Sequence, residues 1–220
     1  MKTIRRSITR YAPFAAMLIL SVTVSCSLPT VSCKEPDIQV TKTADTNDGS
    51  CTGADCSLRE AVIHSNTCPG VQTIHIPPGT YTLTLVGADE DLSATGDLDI
   101  LDTVNIIGEG GAAIDGNPVI DGNAADRVIQ VWNDITANIT GLTIQNGQTP
   151  KGGPGIASNG VLNLSHSIVR NNTSVPLPGW STIGGGVSAS GGWGTGPFSL
   201  SVDSSEIYGN SASYGGGIGA

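Results

Sequence analysis

The sequence contains few aromatic residues, and this shortage together with its glycine content limits the fold class. Phe, Trp and Tyr make up 4% of the 220 residues, whereas glycine occurs 30 times, roughly twice its usual frequency. A helical bundle does not have this composition, and collagen requires glycine at strict three-residue intervals. The composition is typical of an all-β chain with many turns.

Basic residues are also scarce, which excludes a class of partners. Lys and Arg number 10 against 19 Asp and Glu, and four of the basic residues lie within residues 1–25. Without that segment, 6 basic residues remain against 19 acidic ones, a net charge of −13. Such a surface repels phosphate backbones, so nucleic-acid binding is disfavoured. Calcium or a cationic partner suits it better.

The N-terminal segment has an apolar run that is too short to cross a bilayer comfortably. Residues 14–25 are apolar and follow a basic start that contains Lys2, Arg5, Arg6 and Arg10. This pattern predicts a secretory signal peptide over residues 1–25. The Arg5-Arg6 pair resembles a twin-arginine signal, but its flanking residues match that motif poorly.

A cysteine directly follows the export signal. Residues 22–26 read Val-Thr-Val-Ser-Cys, which resembles a bacterial lipobox, in which the cysteine is lipidated and becomes the new N-terminus. We therefore predict a lipid anchor at Cys26, which holds the protein at the membrane of the cell envelope, followed by a tether over residues 26–37. The alternative is ordinary signal cleavage and an extracellular protein. Residues 30–33 repeat the pattern farther from the apolar run.

The remaining cysteines are typical of disulfides in an exported chain. Cys51 and Cys56 are close enough to close one loop. Cys33 and Cys68 are left for a second bond if Cys26 is lipidated, but the sequence leaves their connectivity open. A zinc site lacks histidines at ligand spacing.

One helix is predicted, from Ser57 to about Asn66. Ser57 and Glu60 form a capping box, which satisfies free amides of the first turn. Leu58, Ala61 and Val62 share one apolar face. Because an open solenoid end exposes unpaired backbone groups, we expect this short helix to cover the N-terminal end of a coil.

Residues 56–61 read Cys-Ser-Leu-Arg-Glu-Ala, and they carry a family resemblance. Together with residues 48–51, 73–83 and 96–100 they resemble the CSLREA domain, over residues 38–101. The resemblance implies an exported bacterial protein with a pectin-lyase-like fold, a right-handed single-stranded parallel β-helix, and a short N-terminal capping helix. It implies no catalytic residues.

Residues 102–220 are predicted to form the coils, because a unit of strand, Asn turn and glycine cluster recurs there. The spacing from Ile144 to Ile168 is 24 residues and that from Ile168 to Ile207 is 39. Three asparagines, Asn146, Asn171 and Asn210, are predicted to stack as an amide ladder. These repeats are also similar to those of chlamydial polymorphic outer-membrane proteins. We expect further coils beyond Ala220.

The sequence predicts no catalytic site. Pectate lyases use acids and an arginine on one coil face, and the candidates here are Asp115 and Asp121 with Arg127, or Arg170 beside Asn171. The sequence motifs of lyases and polygalacturonases are absent. The aspartates are instead typical of tight turns, and Arg59 beside Glu60 is interpreted as a helix anchor.

Two sets of residues are candidate binding sites. Asp97 and Asp99 share one strand face, and their carboxylates suit calcium, although a solvated acidic loop is the alternative. Trp180 and Trp193 lie in turn-rich loops and either stack on sugar rings or cover those loops. We therefore expect a monomeric, exported or surface-anchored β-helix with a structural, adhesion or display role towards a cell-surface or polysaccharide ligand. The alternative is a polysaccharide-active or carbohydrate-binding protein.

Overall fold

The chain folds as a parallel β-helix, as the sequence predicts. A computed structural model describes residues 33, 36–88, 90–110, 116–191 and 196–220, and residues 31–220 form one compact unit. The described residues contain eighteen strands and one helix. In that part of the chain all pairings between these strands are parallel, and the strands form three long sheets and one short sheet.

The first sheet contains six strands, one from each successive turn of the chain. In spatial order they are β1 (Asp37–Gln39), β2 (Gln72–Ile76), β5 (Val104–Gly108), β8 (Thr136–Thr140), β12 (Val161–Ser165) and β16 (Ser199–Asp203). The spatial order equals the chain order because each turn of the chain adds one strand beside the previous one.

The other sheets are built in the same way. The second sheet contains β3 (Thr80–Thr82), β6 (Val119–Asp121), β9 (Thr143–Gln145), β13 (Ile168–Arg170) and β17 (Glu206–Tyr208). The third sheet contains β4 (Leu98–Ile100), β7 (Ile129–Val131), β11 (Ile156–Ser158), β15 (Val187–Ala189) and β18 (Ile218–Gly219). The short sheet pairs β10 (Gln148–Thr149) with β14 (Thr173–Ser174).

Five coils follow from this order, each with one strand in every long sheet. Coil 1 contains β2, β3 and β4, coil 2 contains β5, β6 and β7, and coil 3 contains β8, β9 and β11. Coil 4 contains β12, β13 and β15, and coil 5 contains β16, β17 and β18. In the first sheet, paired residues of successive coils are 32, 33, 25 and 38 positions apart.

The predicted repeat spacing was wrong by one residue in two coils. Ile144 pairs with Val169 rather than with Ile168, and Val169 pairs with Ile207. The steps are therefore 25 and 38 residues instead of 24 and 39. The reason is that Val169 occupies the core position of β13, while Ile168 aligns with Thr143 at the preceding position.

The core is a stack of aliphatic side chains inside the coils. In the first sheet one inward column repeats an aliphatic residue in every strand, namely Ile38, Ile74, Ile106, Ile139, Leu164 and Val202. The first five are buried, whereas Val202 on β16 is exposed. Stacking like residues every ~4.8 Å lets each coil bury the apolar face of the one before it.

The predicted helix is confirmed as α1 (Leu58–Thr67). Ser57 is its N-cap, and the predicted capping box with Glu60 is present. The helix packs against β1, β2 and β4. Leu58, Ala61 and Val62 join the same buried core as the coils, so the helix covers the N-terminal end of the β-helix.

Arg59 anchors this helix to the segment that precedes β4. Its side chain is fully buried; Nε donates to Asp45 Oδ1 at 2.7 Å and Nη2 to Asp45 Oδ2 at 3.2 Å. Nη2 also donates to the carbonyl of Gly96, and Nη1 donates to those of Ser93 and Asp97. The anchoring role interpreted from the sequence agrees with these contacts, since the guanidinium faces protein groups on all sides.

The predicted ladder of Asn146, Asn171 and Asn210 does not form. Asn146 and Asn171 occupy equivalent corner positions with φ of 56°, but the register aligns them with Gly209, which has φ of 65°. Asn210 therefore lies one residue too late. The corner requires a left-handed backbone, which asparagine and glycine both adopt at low cost. This backbone conformation therefore recurs at all three corners, whereas the asparagine side chain does not.

An asparagine ladder forms one position later, with Asn172 buried and Asn210 partly buried. Asn172 Oδ1 accepts from the backbone N–H of Gly147 at 2.8 Å, and Asn210 Oδ1 accepts from that of Asn172 at 2.9 Å. Asn210 Nδ2 donates to the carbonyl of Val169 at 2.9 Å. Each asparagine thus bonds the preceding coil, and buried amides of the corner are satisfied.

Two disulfides fix the N-terminal cap. Cys51 bonds Cys56, as predicted, and Cys33 bonds Cys68 directly after α1, which resolves the connectivity that the sequence left open. Both bonds are consistent with an exported protein. In the described part of the chain, no helix is long and apolar enough to cross a membrane. The predicted lipidation residue, Cys26, lies outside the described residues.

Candidate functional site

A groove of about 590 Å³ runs along the outer face of the third sheet. We call it the Trp180 groove and define it by six lining residues: Asp97, Arg127, Gln130, Lys151, Trp180 and Ser188. Its volume is within the range of small-molecule sites.

Stacked coils position the floor of this groove. Gln130 on β7 and Ser188 on β15 lie in one outward column of the third sheet, with Ala157 of β11 between them. Asp97 precedes β4 in coil 1, and Lys151 follows β10 in coil 3. The lining residues therefore come from four successive coils.

Arg127 is a structural element of the groove wall. Its Nη1 contacts Asp97 Oδ2 at 3.3 Å and the side-chain oxygen of Gln130. Nε donates to the carbonyl of Gly153 at 3.1 Å, and Nη2 donates to that of Gly152 at 3.4 Å. These contacts hold the turn before β11 against coil 2 and direct the guanidinium to protein acceptors.

Asp97 is the carboxylate most affected by its surroundings. Burial raises its pKa to about 7, and the nearby charges of Asp99 and Asp126 add to the increase. The Arg127 guanidinium opposes this shift but does not cancel it. Asp97 therefore lines the groove as a carboxyl group that still holds a proton in part of the molecules near neutral pH.

Asp99 lies beneath the helix and the preceding loop instead of in the groove. Its Oδ2 accepts from the backbone N–H of Ser93 at 3.0 Å, and its Oδ1 accepts from Trp132 Nε1 at 3.2 Å. Burial raises its pKa to about 6, although both hydrogen bonds favour the ionised form. The carboxylates of Asp97 and Asp99 thus serve separate protein donors.

The calcium prediction for Asp97 and Asp99 rests on the sequence alone. Within the described ranges, no group of three or more His, Cys, Asp or Glu side chains is arranged to hold a metal ion. Glu90, a neighbouring acid, accepts from the backbone N–H groups of Leu92 and Thr95 at 2.7 and 3.0 Å. Its carboxylate therefore shapes the loop before β4.

Trp180 stands at the rim of the groove with 74% of its surface exposed. Its loop is held by Thr182, which is buried and exchanges hydrogen bonds with Ser213 of the next coil at 3.1 and 3.2 Å. Leu177 and Ile183 beside it are also exposed. A ring this exposed covers little of its own loop, so its faces remain open to a ligand. Trp193 lies outside the described residues.

Of the lyase-type candidates that the structure describes, Asp121 and Arg127 lie at different grooves. Asp121 lines a separate shallow groove of about 600 Å³, whereas Arg127 lines the Trp180 groove. Asp121 Oδ2 accepts from Gln145 and Asn146 at 2.8 Å each, and its Oδ1 accepts from the N–H of Asn123 at 2.9 Å. These bonds agree with the turn-forming interpretation.

Arg170 belongs to an outward row of polar side chains on the second sheet. Its Nε donates to Gln145 Oε1 at 2.9 Å, and its Nη1 donates to Tyr208 Oη at 3.3 Å. Asn171 forms the left-handed corner after β13. Asp115 lies outside the described residues, so its position relative to these groups is not described.

Several groove residues carry no sequence signal. Gln130, Lys151 and Ser188 are ordinary polar residues in sequence, and none belongs to a motif. Coil stacking alone brings them to one surface. No family model, curated protein or solved structure is similar enough to this chain to count as a match.

Proposed function

We propose that this chain is an exported, surface-anchored β-helix that binds a glycan in the Trp180 groove and serves adhesion or display. The observation that carries the proposal is the exposed indole of Trp180 at the rim of a groove with polar side chains on its floor. Aromatic faces pack on the apolar faces of sugar rings, while hydroxyl and amide groups bond the sugar hydroxyls.

The contacts of the charged residues favour binding over cleavage. The guanidinium of Arg127 is directed to Asp97, Gln130 and two backbone carbonyls. An arginine that acts as a base or stabilises a transition state has to face the substrate. The groove therefore offers an aromatic face for stacking and groups for hydrogen bonds, while Arg127 bonds acceptors of the protein itself.

The binding proposal is tested by replacing Trp180. We expect Trp180→Ala to abolish retention of the protein on an immobilised glycan, while Trp180→Phe, which keeps an aromatic face, retains part of it. Tyr208→Ala is the matched control, because Tyr208 is an exposed aromatic on the second sheet outside the groove. Equal retention by wild type and Trp180→Ala on every glycan that binds would contradict the proposal.

Export and anchoring form the second part of the proposal. The signal peptide, Cys26 after it and two disulfides in the cap support a cell-envelope location. We expect cells to incorporate a labelled lipid precursor into the wild type and not into Cys26→Ala. Cys33→Ala is the control, because residues 30–33 resemble a second lipobox. Unchanged labelling of Cys26→Ala would rule out this anchor.

Polysaccharide cleavage is the second candidate function, and one observation favours it. Asp97 lines the groove and its pKa is raised to about 7, which suits a general acid near neutral pH. Incubation with polygalacturonate and calcium, with detection of unsaturated product, tests a lyase. Product that disappears in Asp97→Asn would favour cleavage over simple binding.

A further inference from the structure

We propose that the Trp180 groove binds a linear, uncharged glycan along the axis of the β-helix and rejects polyuronates. This inference rests on the proposed glycan binding and specifies the chemistry and direction of the ligand. Its support is the arrangement of lining residues across successive coils, together with the balance of charge at the groove.

The direction of the ligand follows from the register. Asp97 belongs to coil 1, Gln130 to coil 2, Lys151 to coil 3 and Ser188 to coil 4. Successive coils are ~4.8 Å apart, so the lining extends over roughly 14 Å across the strands. A chain of several sugar residues fills this length, whereas a single sugar leaves most of it empty.

A second exposed aromatic side chain, Tyr214 of coil 5, lies beyond the groove next to one of its lining residues. Ile183 lines the groove and pairs in parallel with Tyr214 of the next coil. Tyr214 is 65% exposed, so a second aromatic side chain lies one coil step beyond the groove wall. Longer oligosaccharides reach Tyr214, and shorter ones contact Trp180 alone.

Negative charge outnumbers positive charge around the groove. Four lining residues are acidic, namely Glu90, Asp91, Asp97 and Asp126, and two are basic, namely Arg127 and Lys151. Arg127 already faces Asp97 at 3.3 Å. A uronate therefore meets a net repulsive field, which the excess of acids over the whole chain strengthens.

Neutral polar groups supply the contacts that an uncharged sugar requires. Gln130, Thr149, Ser181 and Ser188 line the groove beside the charged residues. Hydroxyl and amide groups both donate and accept hydrogen bonds, as sugar hydroxyls do. The preferred ligand is thus a neutral polysaccharide chain, recognised by stacking and hydrogen bonds without ionic contacts.

The test compares three ligands with the purified full chain at pH 8: a series of neutral β-linked glucose oligomers, single glucose and galacturonate oligomers of equal length. We expect affinity for the neutral series to rise with length and to exceed that for galacturonate by roughly tenfold, the scale of a few unfavourable surface charge contacts. Trp180→Ala weakens binding at every length, whereas Tyr214→Ala weakens only the longer oligomers.

Charge variants show whether galacturonate is rejected by charge repulsion or by the shape of the groove. Asp91 is exposed at the groove, so Asp91→Asn is expected to raise galacturonate affinity more than it changes affinity for the neutral oligomers. Asp203→Asn, on the exposed edge strand β16, is the control and changes neither. Added salt screens the repulsion and narrows the difference between the two ligands.

The outcomes distinguish the two proposals. If none of the oligomers binds, glycan binding in this groove is wrong. If galacturonate binds as tightly as the neutral series or more tightly and Trp180→Ala abolishes that binding, the groove is a glycan site but the charge selection is wrong. If affinity does not rise beyond a single sugar, the proposed direction along the axis is wrong.

Discussion

Replacing Arg59 by methionine is expected to destabilise the protein more than any surface substitution. The side chains of Arg59 and Asp45 are 0% and 3% exposed, and they form a two-point ion pair. Arg59→Met keeps the bulk but leaves a buried carboxylate that has lost its ion-pair partner, although the backbone N–H groups of Thr84 and Leu85 still donate to it. It also removes the donor to the carbonyl of Gly96.

The magnitude follows from the burial of the pair. Breaking a buried ion pair by removing one partner costs about 3–5 kcal/mol, because the remaining charge stays buried without compensation. For a chain of this size that corresponds to a decrease in melting temperature of roughly 6–20 °C. Urea unfolding followed by circular dichroism and by tryptophan fluorescence measures the free energy directly.

Three related variants test the role of this ion pair: Arg59→Lys, Asp45→Asn, and Arg59→Met combined with Asp45→Asn. Arg59→Lys keeps the charge without the planar fork, so we expect an intermediate loss. In the double variant Arg59→Met with Asp45→Asn, no buried charge is left unpaired, so it should lose less than the sum of the two single variants. The reasoning is refuted if Arg59→Met costs less than about 1 kcal/mol, the range of an exposed pair, or if the two losses simply add.

Three further predictions concern the coils, the groove and the cap. A Cβ on Gly147 would lie 2.0 Å from a backbone carbonyl oxygen, whereas a Cβ on Gly53 would have nothing within 4 Å. Calorimetry should therefore show that Gly147→Ala lowers the free energy of unfolding by about 1–3 kcal/mol. Gly53→Ala should leave it unchanged. The folded state raises the pKa of Asp97 to about 7, so Asp97 holds a proton that the unfolded chain releases near pH 4. Urea titrations should therefore show that the free energy of unfolding falls as pH rises from 4 to 7, by about 1.4 kcal/mol per pKa unit. This slope should flatten in Asp97→Asn. Replacing Cys33 and Cys68 by serine removes a disulfide between positions 35 residues apart and should lower the free energy of unfolding by about 4 kcal/mol. Removing the shorter disulfide, Cys51–Cys56, should lower it by about 2 kcal/mol. An equal loss for both would contradict the chain-entropy argument.

Local chemistry made the cap predictable from the sequence. Ser57 and Glu60 form their capping box within four residues, and Cys51 bonds a cysteine five positions away. Such short-range pairs need no knowledge of the rest of the fold. The alternating apolar residues and glycine clusters likewise predicted stacked parallel coils, because a single repeat does not bury its own apolar face.

Register and groove were not predictable in the same way. Paired residues of successive coils are 24 to 39 positions apart, so the predicted pairing of Ile144 with Ile168 missed the true partner, Val169, by one position. The same slip placed the amide ladder at Asn171 instead of Asn172. Residues such as Gln130 and Ser188 come to one surface only when the length of every coil between them is known. No local sequence pattern gives those lengths.

The ladder of Asn172 and Asn210 runs in one direction along the β-helix, from each coil to the coil before it. Each asparagine closes the corner of the coil before it, so a coil is completed only when its successor arrives. The cap is held by two disulfides, and the side chains of α1 bond residues as far along the chain as Leu101. We therefore expect the cap to form before the later coils. We expect hydrogen exchange to slow progressively from coil 5 towards the cap, and the β-helix to assemble from the N-terminal cap towards coil 5.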